Sequence, residues 1–120
     1  YILKLLIMPQ VFFNIVPSAV NILIGKKVTV SESTGEIKTA INPSQLKNLY
    51  ITSTHSTDDA KFNLYYEGID TTLGTYHILK NHVMAPGTTL VFEGSEISFN
   101  NEIWELKVVM ATGSLDIVGV

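Results

Sequence analysis

The stretch GTYHILKNHVMAPGTTLVF, residues 74–92, decides the fold class of this chain. Two segments that suit a pleated surface, TYHILKNHV and TTLVF, flank the tripeptide Ala85-Pro86-Gly87. Proline has no amide donor and therefore ends a strand, and glycine tolerates the backbone of a tight turn. The stretch predicts a strand, a corner and a second strand, joined as a hairpin.

The alternative interpretation of this stretch is a metal or catalytic cluster, because it holds two of the three histidines of the chain. His77 and His82 are five positions apart, and an odd spacing sends strand side chains to opposite faces. The third histidine, His55, belongs to a polar loop that also holds Asp58 and Asp59 and could suggest a calcium site. This loop has neither the glycine turn nor the distal glutamate of a calcium-binding loop. The pattern favours ordinary strand histidines near the surface and predicts neither a metal site nor a cofactor.

The same alternation recurs on both sides of this stretch and predicts further short strands. Residues 27–41 indicate a hairpin with a turn at Gly35, and residues 42–48 suit a helical turn or a loop. The other predicted strands cover residues 49–54, 61–67, 103–111 and 114–120. Because no helix is long enough for a parallel crossover, we predict an all-β protein. The expected architecture is an antiparallel β-sandwich, jelly-roll or Ig-like, with eight or more short strands in one domain over residues 26–120.

Residues 1–25 form a nearly continuous apolar segment, for which several interpretations stay open. The segment is long enough to cross a bilayer, which takes about 20 residues, but Pro9 and Pro17 disturb a helix. A signal peptide with Lys4 as its charged start is a second interpretation. The pattern favours an apolar arm or a first strand, and Met8 is a candidate for the true start after an untranslated leader.

An uncovered apolar arm is an aggregation hazard in a monomer, so we expect other molecules to cover it. The predicted assembly contacts are Val11, Phe12, Phe13 and Ile15. The expected state of the protein is a homo-oligomer or a subunit docked on a larger shell.

Composition argues against several classes of function. The 120 residues amount to one domain, and without cysteine the chain has neither a disulfide nor a thiolate ligand. The net charge is −3 and the eight basic residues are scattered lysines, so nucleic acid is not an expected partner. A membrane is not an expected partner either. No Gly-x-Ser-x-Gly elbow, phosphate loop or dinucleotide fingerprint occurs, and we expect no enzyme activity. A hydrolase built on two carboxylates brought together in space stays as an alternative.

Three aromatic side chains are candidates for contact with a ligand. Tyr65 and Tyr76 are amphipathic residues near turns and are predicted to lie at the surface. Trp104 shares a strand face with Leu106 and Val108, so the pattern favours the core over a platform for sugar. A flat, exposed aromatic patch favours a carbohydrate-binding module, and buried rings favour a scaffold.

Five short motifs follow one another along residues 48–120, namely LYIT, YHILKN, APGTTL, LKV and GSLDI. With these motifs the chain resembles small structural proteins of tailed bacteriophages, including those of marine and cyanobacterial phages. The resemblance implies a β-sandwich without enzyme activity that decorates the capsid or attaches head, tail or fibre. Its implied partners are copies of itself and phage capsid or tail proteins. Its implied location is the phage particle, after synthesis in the host cytoplasm.

A second class of function stays open beside the virion component. It is a carbohydrate- or receptor-binding β-sandwich module of a fibre or of a secreted adhesin. The exposure of the aromatic side chains discriminates between the two.

Overall fold

The computed structural model describes residues 11–17, 20–25 and 46–120, and within them the chain forms eight β-strands. The strands are β1 (Val11–Ile15), β2 (Val20–Ile24), β3 (Asn48–Ser53), β4 (Ala60–Gly68), β5 (Thr75–Met84), β6 (Thr89–Glu93), β7 (Trp104–Thr112) and β8 (Leu115–Gly119). Sheet A has the strand order β1-β8-β3-β6 and sheet B the order β2-β7-β4-β5, with antiparallel pairing throughout. The predicted all-β antiparallel sandwich is therefore confirmed.

The order of pairing identifies the sandwich as a jelly roll. β1 pairs with β8, β2 with β7, β3 with β6 and β4 with β5, as in one long antiparallel hairpin. Successive pairs of this hairpin fall alternately into sheet A and sheet B. In the Ig-like alternative the first two strands share a sheet, whereas here β1 and β2 lie at the edges of different sheets.

The core lies between the two sheets and follows from the alternation of side chains along the central strands. Sheet A supplies Leu49, Ile51, Leu115 and Ile117, and sheet B supplies Phe62, Leu64, Leu106 and Val108, all of them buried. Burying an apolar side chain of this size contributes roughly 1.5–3 kcal/mol relative to leaving it exposed. The alternating pattern in β3, β4, β7 and β8 is thus sufficient to hold the sheets together.

The corner between β5 and β6 differs from the predicted hairpin. The two strands and the Pro-Gly corner are present, but β5 is an edge of sheet B and β6 is an edge of sheet A. The corner closes with a hydrogen bond of 3.2 Å from the Thr88 amide to the Ala85 carbonyl, and Gly87 occupies φ 80°. Gly87 also donates to the Ser53 carbonyl of sheet A at 2.8 Å, so the corner carries the chain from one sheet to the other.

Some predicted elements lie outside the described residues. These are the start at Met8, the hairpin over residues 27–41 and most of the helical turn over residues 42–48, of which Asn48 begins β3. Across the described ranges, no helix has the length and apolar character needed to span a bilayer.

Candidate functional site

An aromatic pocket opens at one end of the sandwich. Its lining consists of Tyr66, Tyr76, Phe99 and Trp104, and its volume is about 350 Å³. Tyr66 comes from the end of β4, Tyr76 from the start of β5 and Trp104 from the start of β7, while Phe99 belongs to the loop before β7. Ligand pockets in proteins run from about 300 to 1,000 Å³, so the pocket suits a small ligand group.

The four rings form two pairs whose planes are inclined to each other. Tyr76 and Trp104 meet edge to face, with centroids 5.6 Å apart and planes at 77°. Tyr66 and Phe99 have centroids 5.0 Å apart and planes at 57°. Tyr76 is 60% exposed and forms the open side, whereas Tyr66 and Trp104 are half-buried. The rings of each pair are therefore inclined to each other and do not form one flat platform.

Strand register explains why these rings meet. Tyr66 lies opposite Tyr76 on one side and opposite Leu106 on the other, so all three lie on the same face of sheet B. Trp104 lies opposite Gly68, which has no side chain to pack against it at this end of the sheet. Trp104 is consequently only half-buried, and the prediction that it belongs to the core is wrong in that respect.

The loops around the pocket are tied together by backbone hydrogen bonds. The Gly68 amide donates to the Gly74 carbonyl at 3.1 Å, and the Ile69 amide donates to the Ile103 carbonyl at 2.9 Å. The Trp104 amide donates to the Asn100 carbonyl at 3.0 Å. Burial raises the pKa of the Tyr66 phenol, which stays neutral and able to donate a hydrogen bond at physiological pH.

Tyr65, the other predicted surface tyrosine, does not reach the pocket. It lies on the outer face of sheet B opposite His77 and Lys107, with its ring centroid 5.4 Å from that of His77. Burial is the main cause that raises the pKa of the Tyr65 phenol. Side chains alternate along β4, so Tyr65 and Tyr66 lie on opposite faces of sheet B. Tyr76 is the cross-strand neighbour of Tyr66, and the two predicted surface tyrosines, Tyr65 and Tyr76, therefore lie on different faces.

A charged cluster occupies the outer face of sheet B beside Tyr65. The Lys107 Nζ donates to Glu67 Oε1 at 2.5 Å and lies 3.7 Å from Glu105 Oε1. The hydrogen bond and charge of Lys107 hold the pKa of Glu67 below its ordinary value, and the hydrogen bond to Glu67 raises the pKa of Lys107. One lysine between two carboxylates leaves the cluster with a net negative charge.

The outer face of sheet A carries a continuous apolar row. Phe12 of β1 lies opposite Val118 of β8, Val118 lies opposite Tyr50 of β3, and Tyr50 lies opposite Val91 of β6. Phe12 is 67% exposed and Val91 is 48% exposed, and the two residues between them are partly exposed. Phe12, Val118, Tyr50 and Val91, named here the apolar row, cross all four strands of the sheet.

A polar row runs alongside the apolar row. It comprises Asn14, Asp116, Thr52 and Thr89, which are cross-strand neighbours in that order. The Asn14 Nδ2 donates to Asp116 Oδ1 at 2.9 Å, and the hydroxyls of Thr52 and Thr89 are 2.9 Å apart. The polar side chains of this row therefore bond to one another within the sheet.

The predicted assembly contacts are separated by the alternation of β1. Phe12 points outward into the apolar row, Phe13 packs against the core and Ile15 is part of the core. Val11 pairs with Gly119 in the ladder between β1 and β8. The prediction is therefore corrected for Ile15, whose side chain is enclosed by its own sandwich.

The two histidines of β5 face opposite sides of sheet B. His82 faces inward, with its ring edge-on to Phe62 at a centroid distance of 5.6 Å, whereas His77 faces outward beside Tyr65. Two irregularities in the register of β5 lie between them. Within residues 11–17, 20–25 and 46–120, no three His, Asp or Glu side chains cluster closely enough to hold a metal ion.

No family model matches the chain, and no curated protein or solved structure matches it. The class of protein is therefore defined by its own fold and surfaces. The described residues form an eight-stranded jelly roll with the apolar row on the outer face of one sheet, a charged cluster on the outer face of the other and an aromatic pocket at one end.

Sequence reasoning missed Tyr66 and Phe99 in the pocket and Tyr50, Val91 and Val118 in the apolar row. Alternation in β3, β6 and β8 carried a signal for the row, because it marks these residues as the outward set. No comparable signal marked Phe99, which belongs to no strand.

Proposed function

We propose that the protein is a structural component of a phage particle without enzyme activity, which associates through the outer face of sheet A. It decorates the capsid or attaches head, tail or fibre. The observation that carries this proposal is the apolar row, a continuous apolar stripe across four strands with no strand or helix of the described residues packed on it. Contiguous exposed apolar surface of this kind marks sites of protein association.

The occupant that we infer for the apolar row is a second copy of this chain. None of its four residues is charged, so two such rows approach each other without repulsion between like charges. Stacking about a two-fold axis buries both rows, since an isologous interface uses the same patch twice. The outer face of sheet B differs in that it carries Lys61, Glu67, Glu105 and Lys107 among its exposed apolar residues, Val20, Ile22 and Val83.

The phage assignment is supported by the resemblance along residues 48–120 and is compatible with the fold. Jelly rolls occur in viral capsid proteins, and they also occur in lectins and cupins. Because one fold hosts many functions, the fold by itself does not select among them. The apolar row favours an assembly role, as in capsid proteins, over the roles of lectins and cupins.

Replacing Val91 by aspartate is expected to weaken self-association at least tenfold, about 1.4 kcal/mol in free energy, because it places a charge in the apolar row. The matched control is Val83→Asp, since Val83 is 53% exposed and also lies on an edge strand, but on sheet B. Sedimentation equilibrium of the two variants and the parent checks the result. A parent chain that is monomeric at every concentration, or equal weakening by both variants, contradicts association through sheet A.

Quantitative mass spectrometry of purified phage particles tests the location of the protein. We expect the chain to be present in a fixed number of copies set by the symmetry of its site. Hundreds of copies per particle indicate capsid decoration, and about a dozen indicate the neck, tail or fibre. Absence from particles that are otherwise complete overturns the proposal.

The second candidate is a carbohydrate- or receptor-binding module. The exposure of Tyr76 beside Trp104 favours it, because aromatic rings at a pocket mouth contact ligands. The planes of these two rings stand at 77°, however, which offers no flat platform for a sugar ring. The apolar row therefore remains the stronger basis for the function of the protein.

A further inference from the structure

The aromatic pocket and the apolar row are separate features. The row lies on the outer face of sheet A, whereas three of the four rings of the pocket come from strands of sheet B. Self-association through the row leaves the role of the pocket unassigned. The composition of its lining indicates what it holds.

The four residues that line the pocket are all aromatic, and the lining presents almost no polar surface. A sugar needs several hydrogen-bonding partners to replace the water it loses, and such a lining does not supply them. A quaternary ammonium group has no hydrogen to donate and requires no hydrogen-bond partner. It is held by the electron-rich faces of aromatic rings, among which tryptophan is the strongest.

The ring geometry matches such a group. The Tyr76 and Trp104 planes stand at 77° and the Tyr66 and Phe99 planes at 57°, so the rings of each pair do not share one plane. A compact, roughly spherical cation uses several ring faces at once.

Charge complementarity also points to a cation. The segment from Tyr66 to Tyr76 supplies two of the rings and carries Glu67 and Asp70 but no basic residue. Glu105 follows Trp104 directly. Lys107, the nearest lysine along β7, is held between Glu67 and Glu105 at 2.5 and 3.7 Å, so this cluster keeps a net negative charge. This cluster lies on the outer face of sheet B and the pocket on the other side, so its charge acts only as a long-range attraction of a cation toward this end of the sandwich.

The pocket is shaped before a ligand arrives. The hydrogen bonds from Ile69 to Ile103 and from Trp104 to Asn100 fix the loop that carries Phe99 relative to β4 and β7. On the other side, the Asp70 carboxylate accepts hydrogen bonds from the amide and hydroxyl of Thr72 at 3.0 and 2.8 Å, which holds the turn before Tyr76. A preformed site loses less conformational entropy when it binds.

We propose that the aromatic pocket binds a trimethylammonium group through the faces of Tyr66, Tyr76, Phe99 and Trp104. The group is found both in free solutes such as choline and in the headgroup of phosphatidylcholine. The chemistry recognised is the same in the two cases.

Trp104 is the only tryptophan of the chain, so its fluorescence reports on the pocket alone. Titration with choline is expected to give a saturable change with a dissociation constant of about 0.1–1 mM. The comparison ligand is 3,3-dimethylbutan-1-ol, which has the shape of choline without its charge. We expect this alcohol to bind at least tenfold more weakly. Equal binding of both compounds, or no saturable response to choline, overturns the proposal.

Variants of Tyr76 connect the signal to the pocket. Tyr76→Leu is expected to raise the dissociation constant for choline at least tenfold, whereas Tyr76→Phe keeps the ring and is expected to stay within about threefold of the parent. Tyr65→Leu is the matched control, because Tyr65 is adjacent to Tyr66 in sequence but lies on the opposite face of the sheet. Circular dichroism checks that each variant is folded. Loss of binding in the Tyr65 variant alone contradicts the assignment.

Two further measurements complete the test. The first distinguishes the two sources of the trimethylammonium group, and the second tests a competing ligand. Sedimentation with phosphatidylcholine vesicles, but not with phosphatidylglycerol vesicles, identifies the lipid headgroup, and binding of choline without sedimentation identifies a free solute. Either result supports the proposal. Saturable binding of glucose or of a glucose oligomer in place of choline overturns it and favours a carbohydrate-binding module. None of these outcomes depends on the association of sheet A.

Discussion

Replacing Phe62 by alanine is expected to lower the free energy of unfolding by about 3–5 kcal/mol. Phe62 is 1% exposed and lies between the two neighbours of β4, opposite Met110 on β7 and His82 on β5. It also makes the edge-to-face contact with His82. Truncation removes the apolar area of the ring and leaves a cavity that the rigid ladders on both sides cannot close. Urea denaturation followed by circular dichroism measures the change.

Phe12→Ala is the matched control for this prediction. It is the same chemical change at a phenylalanine that is 67% exposed, and we expect it to change the stability of the monomer by no more than about 0.5 kcal/mol. Both variants are compared at a concentration where the parent is monomeric, because association adds to apparent stability. Similar losses for Phe62→Ala and Phe12→Ala would contradict the placement of the core between these sheets.

Replacing Gly113 by alanine is expected to cost about 2–5 kcal/mol of stability through two effects that add. Gly113 turns the chain from β7 to β8 at φ 78°, where a side chain costs about 1–2 kcal/mol. An added Cβ would also lie 2.7 Å from the Asp59 carbonyl oxygen and 2.9 Å from the Ala60 Cα. Both atoms are backbone, so overpacking costs a further amount of about 1–3 kcal/mol. Thermal and urea unfolding measure the sum.

Gly87→Ala separates the two effects, since Gly87 has nearly the same backbone angle, φ 80°, with no atom within 4 Å of an added Cβ. We expect this variant to lose only the backbone contribution of about 1–2 kcal/mol. The difference in stability loss between the two variants then measures the cost of the contact between the added Cβ at position 113 and the start of β4. Equal losses for Gly87→Ala and Gly113→Ala would mean that the turn relaxes away from Asp59.

Local patterns account for the parts of the fold that were predictable. Alternating apolar residues mark the strands around Ile51, Leu64, Val108 and Ile117 and identify the side chains that face the core. Proline and glycine mark the corner at residues 85–88, because their backbone restrictions act without help from the rest of the chain. These signals depend on one or a few residues at a time.

The candidate sites were predictable only in part. The place of Tyr76 beside a turn predicts a surface aromatic, and the place of Phe12 in an apolar segment predicts an assembly contact. The surroundings of Tyr76 in the pocket were not predictable, because the ring of Phe99 reaches the pocket from a loop without periodicity. Trp104 was assigned to the core because alternation does not show where a sheet stops being covered by its partner.

Backbone sterics and the two-residue period of a strand made the fold class, the strands β3 to β8 and the position of the Pro-Gly corner predictable, whereas β1 and β2 were not predicted as two separate strands. Three features became visible only in the folded chain: β5 and β6 belong to different sheets, Phe12 and Val91 are joined in one row through β8 and β3, and four rings line a pocket at one end. These features depend on which strands become neighbours. Strand pairing is chosen by the packing of the whole chain, and the same local alternation is compatible with many orders of strands.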